Sequence, residues 1–310
     1  MSEPAPRAHV GFPYRGVAEY VSGTLAFLHT ALDAGNPVLV AVPSAKLEIL
    51  RDCLGSYAER VRFTDLTVAG RNPGRILPGV LLAFADEFPG RPTAIVVEPL
   101  WPGRSPLEYP ACVAHEALVN LAFAGRDVTL LCPCDAANLD PHMVSDAHRT
   151  HPELLLRGER RPSPAYGDPR QTAASFHPPL PAPPPHAATM RYDAVHDLAG
   201  LRSFVTGHAA TAGLKPERCD TLADVVSELA GGTLTHTDGP GAVSVWPERD
   251  LVVCQLRDSG QFTDPLAGLV PPTVRRGAGA LLAAHLHCDL VRVHARPGAA
   301  TIRLHMAVPD

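Results

Sequence analysis

The chain has 310 residues, 45% of them hydrophobic, with 27 Lys and Arg against 32 Asp and Glu and a formal net charge of −5. That length accommodates two ordinary domains or one large one, and the charge balance excludes a global polybasic footprint, so no direct DNA contact is expected. Seven cysteines, an odd number spread over both halves, exclude a compact disulfide framework.

The opening MSEPAPRAHV is polar and Pro-rich with no apolar signal region behind it. No apolar run approaches the roughly 18 residues of a membrane span. We expect a cytoplasmic protein that makes no membrane contact, with mostly buried, reduced thiols.

In chain order, PVLVAV (37–42) is a continuous apolar run. SAKLEILRDCLG predicts a helix over 44–55 with Ser44 as N-cap and Gly55 at its end. VRFTDL (61–66) reads as a strand, and GRILPGVLLAFADEF contains a helix broken near Pro78. TAIVVEP (93–99) and VTLLCPCD (128–135) read as buried strands on either side of a helix over 109–125. All-apolar strands alternating with helices indicate an α/β domain with a parallel sheet covered on both faces, and ligands at the carboxyl ends of its strands. Residues 157–190 contain PPLPAPPP and lack apolar periodicity, which predicts a Pro-rich linker between domains at 8–156 and 191–310. Beyond it, helices over 197–213, 217–232 and 277–288, a strand–turn–strand over 241–258 and a hairpin over 289–308 indicate a two-layer α+β sandwich.

In the first half, Glu98, Trp101, Arg104 and Glu108 bracket a proline–glycine loop after a strand, and Glu116 and Asn120 share a helix face. We take Glu98, Trp101, Arg104, Glu116 and Asn120 as candidates for a ligand pocket. The alternative is a structural Glu98–Arg104 ion pair with Trp101 in the core. Neither GFPYRGVAEY nor GRNPGRILPG forms a phosphate loop. CPC (132–134) with His142, His148 and His151 lacks pair-plus-pair zinc spacing, so no metal is expected.

HVGFPYRG (9–16), AGNPVLVAVP (34–43), GRNPGRILP (70–78), EPLWPGRSPLEY (98–109), HEALVNLAF (115–123), LCPCDAANLD (131–140) and AHRTHPEL (147–154) resemble MEDS, the sensory domain named after methanogens, methylotrophs and the DcmR regulator. Cys134 departs from this pattern, standing where a tyrosine is common. The resemblance implies a RecA-like fold without a phosphate loop and a small, hydrocarbon-like ligand.

In the second half, SELAGG (227–232) lies on a helix, DSG (258–260) follows a strand and GAG (277–279) opens a helix. An aspartate at a strand end suits an adenine amine, and helix-start glycines leave N–H groups for phosphates. In this order, the three resemble the histidine-kinase-like ATPase superfamily of Bergerat type, nearest its bacterial anti-sigma serine kinases and their actinobacterial relatives. The resemblance covers about 191–308. It makes Glu228 the catalytic base of an active enzyme and Asp258, Gly260, Gly277, Gly279 and Thr301 the nucleotide contacts. Gly232 stands where the family's Asn binds magnesium, and Ala278 and Ala280 also depart from its pattern.

With that oxygen ligand missing, kinase chemistry is expected to be lost, ATP and magnesium to bind weakly at most, and no cofactor to be required. The reading is a transcription regulator that sequesters an RNA polymerase sigma factor under control of a sensory domain, with homodimerisation implied by analogy. The competing readings are an active ATP-dependent serine kinase acting on an anti-sigma antagonist and a signalling histidine kinase.

Overall fold

The structure, a computed structural model, describes residues 7–237, 239–260, 264–271 and 278–308. It divides into two compact units, Met1–Phe176 and His177–Asp310.

The first unit holds β1 (Ala8–Tyr14), α1 (Val17–Asp33), β2 (Val38–Val42), α2 (Ser44–Leu54), β3 (Val61–Asp65), α3 (Leu66–Ala69), α4 (Pro73–Ile76), α5 (Ala83–Asp86), β4 (Thr93–Val97), α6 (Tyr109–Ala122), β5 (Val128–Asp135), α7 (Pro141–Thr150), β6 (Glu153–Leu156), β7 (Glu159–Pro162) and α8 (Pro169–Ser175). Its sheet runs β3-β2-β4-β5-β1-β6-β7. All pairs are parallel except β6 with β7. β2 and β4 are buried along their whole length, as strands covered on both faces must be. Val10, Phe12, Tyr14, Val38, Val40 and Val96 join α1 and α2 in one core. Strand alternation sends His9, Gly11, Cys132 and Cys134 to the opposite face, where α6 and α7 pack.

Several local expectations change. Ser44 is the first helical residue of α2; Pro43 occupies the N-cap position, and no side chain caps it. The helix expected around Pro78 is π-helical over Leu77–Leu82, a local widening consistent with a proline that lacks an N–H. The 157–190 segment, expected as a linker, is partly built into both units. β7 pairs with β6, and α8 packs on α6. Its proline content suits the extended chain but did not prevent those short elements.

The second unit holds β8 (Ala188–Tyr192), α9 (Asp197–Thr211), α10 (Pro216–His236), β9 (Gly241–Glu248), β10 (Leu251–Asp258), α11 (Ala278–His287), β11 (Leu290–Arg296) and β12 (Ala299–Ala307). Its sheet is antiparallel, ordered β11-β12-β10-β9-β8. One face packs on the helices through Val243, Val245, Cys254, Leu256, Ile302 and Leu304. On the other face, the Arg303 guanidinium lies 5.1 Å from the Trp246 ring and donates to Gln255 and to the Pro181 carbonyl. The architecture is α/β in the first unit and α+β in the second, the classes read from the sequence. No described helix is long and apolar enough to cross a membrane.

Gly241 meets the buried Tyr192 ring so closely that an added Cβ would overlap it. Gly241→Ala is therefore expected to destabilise the second unit by about 1–3 kcal/mol. The check is an earlier urea transition of Trp246 fluorescence in a Trp101→Phe background; an unchanged midpoint would contradict this packing.

Candidate functional site

β1 ends at Tyr14, β4 one residue before Glu98 and β5 at Asp135, while α2 starts just after β2 and carries Lys46 in its first turn. Parallel strands end on one edge of the sheet, so these residues gather there. Glu98 is 0% exposed. It forms an ion pair with Lys46, and the Tyr14 hydroxyl donates to its Oε1 at a long 3.4 Å. Lys46 also donates to the Tyr14 hydroxyl and lies 5.1 and 5.3 Å from the Tyr14 and Tyr20 ring centroids. Glu98 Oε2 and the buried Tyr20 hydroxyl have no hydrogen-bond partner among the described residues. The cluster thus pairs one cation with one carboxylate and leaves two buried polar atoms without a hydrogen-bond partner among the described residues.

Burial pushes the Glu98 carboxyl up from 4.5 to about 7, although Lys46 pulls it down. Burial likewise raises the Tyr14 phenol, with the Glu98 charge adding to it. Folded Glu98 keeps its proton where the unfolded chain has lost it. Its contribution to stability is full below about pH 4.5 and is lost as pH rises through about 7.

The other pocket candidates fall into two separate sets. Arg104 is buried and donates to the carbonyls of Pro99, Arg71 and Gly70 and to Glu108, with its guanidinium 3.8 Å from the Trp101 ring centroid. That is a structural clamp on the loop. The alternative Glu98–Arg104 ion pair is not formed: Glu98 pairs with Lys46, and Arg104 pairs with Glu108. Glu116 and Asn120 lie buried on α6: the Thr150 hydroxyl donates to Glu116, and Asn120 Oδ1 lies 2.9 Å from His9 Nδ1. Burial raises Glu116 to about 8, and it lowers His115 to about 3 and His151 to about 4.

Residues 8–152 match the family model of MEDS, the MEthanogen/methylotroph, DcmR Sensory domain. This segment is a MEDS domain. A search of curated proteins found no match to the chain. The match suggests a sensory, signalling role, and its boundaries enclose Tyr14, Lys46, Glu98, Glu116 and Asn120. Sequence reasoning missed Tyr14, Tyr20, Lys46 and His9. The available signal for Lys46 was its place one turn after a buried strand, in a chain with only two lysines.

In the second unit, Asp258 is buried at the end of β10. Its Oδ2 accepts from the Tyr192 hydroxyl at 3.1 Å and the Thr233 hydroxyl at 2.8 Å, and its Oδ1 accepts from the Gly260 N–H at 2.8 Å. Glu228 is exposed on α10, which runs unbroken through Gly232. Thr301 does not join Asp258. It pairs with Arg257 across β10 and β12 and lines a cavity of about 290 Å³ with Gln255, Arg257 and Pro181, on the face opposite the helices. The cause is the two-residue period of a strand, which sends Asp258 and Thr301 to opposite faces. Gly279 is exposed in the first turn of α11. Gly277 lies outside the described residues.

Lys46→Met removes the only cation bonded to Glu98 among the described residues. The loss is expected to be about 3–5 kcal/mol at about pH 8, where the carboxylate is left buried and alone, and smaller at about pH 5, where a proton neutralises it. Chemical denaturation at both pH values checks this, with Glu98→Gln added to Lys46→Met as the rescue. Equal losses at both values would contradict the pairing.

Proposed function

We propose that this protein is a signalling regulator that senses a small molecule through its MEDS domain and sequesters an RNA polymerase sigma factor through its second domain. On this reading the first unit is RecA-like without a phosphate loop, and the second is a Bergerat-type sandwich related to the anti-sigma serine kinases. The sensed molecule would meet Glu98 Oε2 and the Tyr20 hydroxyl, the two buried polar atoms left open beside Lys46. A small hydroxyl- or amine-bearing compound with an apolar body matches that chemistry, since Glu98 accepts and the tyrosine rings supply an apolar wall.

The observation that carries the sigma-binding reading over the kinase reading is the state of Asp258. Its carboxylate already serves Tyr192, Thr233 and Gly260, so an adenine amine would have to compete with three internal donors. Gly232 adds no oxygen for a magnesium ion, and Thr301 lies across the sheet. Sequestration needs only a preformed surface, whereas phosphate transfer needs metal and nucleotide held together. The competing reading remains an active serine kinase acting on an anti-sigma antagonist. A signalling histidine kinase is a weaker third reading.

Calorimetry of the full-length protein against a panel of alternative sigma factors, with and without Mg-ATP, tests the proposal. The expected result is binding to one sigma factor with an affinity that Mg-ATP leaves unchanged, and no heat from Mg-ATP alone. Tight Mg-ATP binding with phosphate transfer to a partner serine would overturn it in favour of the kinase.

A further inference from the structure

On the face of the first sheet opposite Lys46, three buried donors converge from three parts of the chain. His9 lies on β1, Cys132 on β5, and His151 directly after α7. One ring nitrogen of each histidine and the Cys132 sulfur all lie within 4.8 Å of one another, and all three residues are buried. His9 Nε2 is 3.3 Å from Cys132 Sγ.

The hydrogen bonds around the cluster fix which atoms carry lone pairs. Asn120 Nδ2 donates to the carbonyls of Ala117 and Thr150, at 3.1 and 2.9 Å, which turns its Oδ1 toward His9 as an acceptor. His9 must therefore carry its proton on Nδ1, leaving the Nε2 lone pair facing Cys132. His151 Nδ1 lies 2.7 Å from the Ala147 carbonyl, which can only accept, so His151 also carries its proton on Nδ1. Its Nε2 lone pair is buried with no hydrogen-bond partner among the described residues. An inward nitrogen with the outward N–H tied to a carbonyl or amide oxygen is how a protein orients a metal-binding imidazole. The His9 lone pair is met by the Cys132 thiol, while the His151 lone pair is otherwise costly to bury.

Gly11 makes the approach feasible. It stands opposite Cys132 in the β1–β5 register, and an added Cβ would lie 3.0 Å from His151 Cγ.

We propose that His9 Nε2, Cys132 Sγ and His151 Nε2 bind one thiophilic metal ion of the Zn²⁺ or Cu⁺ class. Thiolate with imidazole selects these ions over hard cations. As the sulfur–metal bond forms, the Cys132 thiol gives up its proton to solvent. Among the described residues no fourth His, Cys, Asp or Glu atom completes the group, which leaves a coordination position for a small exogenous donor. Asn120 and Thr150 would orient the two imidazoles from outside. This site is separate from Glu98 and Lys46 and stands whether or not the second unit binds a sigma factor.

The test uses the full-length protein. Metal analysis after purification should find about one Zn or Cu per chain, and which metal it is separates the two ions. X-ray absorption at that metal's edge should show one sulfur at about 2.3 Å and nitrogen at about 2.0 Å if the ion is zinc. Cobalt added to the chelator-treated protein should give a sulfur-to-cobalt charge-transfer band. Cys132→Ser should abolish that band, while Cys134→Ser, two residues along the same strand, should keep it. Wild-type protein with no bound metal and no cobalt band, an absorption shell without sulfur, or equal loss of the band in the two serine variants would overturn the proposal. The absorption measurement needs only wild-type protein, so a misfolded variant does not obscure the outcome.

Discussion

Glu98 has no exposed surface, and a carboxylate held there without a counter-charge would cost several kcal/mol. The edge of the first domain is arranged around that cost. Lys46 reaches Glu98 because α2 begins as soon as β2 ends, and Tyr14 reaches it because β1 ends on the same edge as β4. A parallel sheet makes this convergence geometric, since the C-terminal ends of its strands lie side by side. The compensation is partial. One carboxylate oxygen has no partner among the described residues, and burial still raises the carboxyl to about 7. A buried group balanced between charge states is sensitive to the gain or loss of one hydrogen bond.

The second unit follows a different rule, strand alternation in an antiparallel sheet. β10 and β12 send Cys254, Leu256, Ile302 and Leu304 to the helices, and Gln255 and Arg303 to the other side. Asp258 falls on the helix side with Tyr192 and Thr233, and Thr301 falls with Gln255 and Arg257. A single shift in strand phase therefore separates two residues that a linear motif reading joins. The outer face is not left bare either: the Pro181 carbonyl accepts from Arg303, and His177 and Val293 are linked across a 3.0 Å hydrogen bond.

The strands most legible in the sequence were the mostly apolar runs β2, β4 and much of β5, while β3 and the strands of the second unit were read from apolar residues mixed with polar ones. β1 is equally central, but AHVGFPY carries a histidine, a glycine and a proline, and its local pattern did not announce a strand. Two of these residues have a tertiary reason invisible to local pattern: His9 is satisfied by Asn120, and Gly11 makes room for His151. Lys46 reads as a solvent-facing helix residue, and only the arrival of β4 beside β2 makes it a counter-ion. Along the chain, the first histidines after CPC are His142, His148 and His151. His9, 123 residues before Cys132, is brought in by the parallel pairing of β1 with β5. Long-range pairing of this kind has no local periodicity to announce it.

The most direct measurement on this account is the ionisation of Glu98 itself. Infrared difference spectra of the wild-type protein against Glu98→Gln, taken across the folded pH range, isolate its carboxyl band. The account predicts a protonated carboxyl that converts to carboxylate near pH 7, the value to which burial raises it. Conversion in the ordinary carboxylate range near 4.5 would contradict a buried, partly compensated Glu98 and with it the arrangement of this sheet edge.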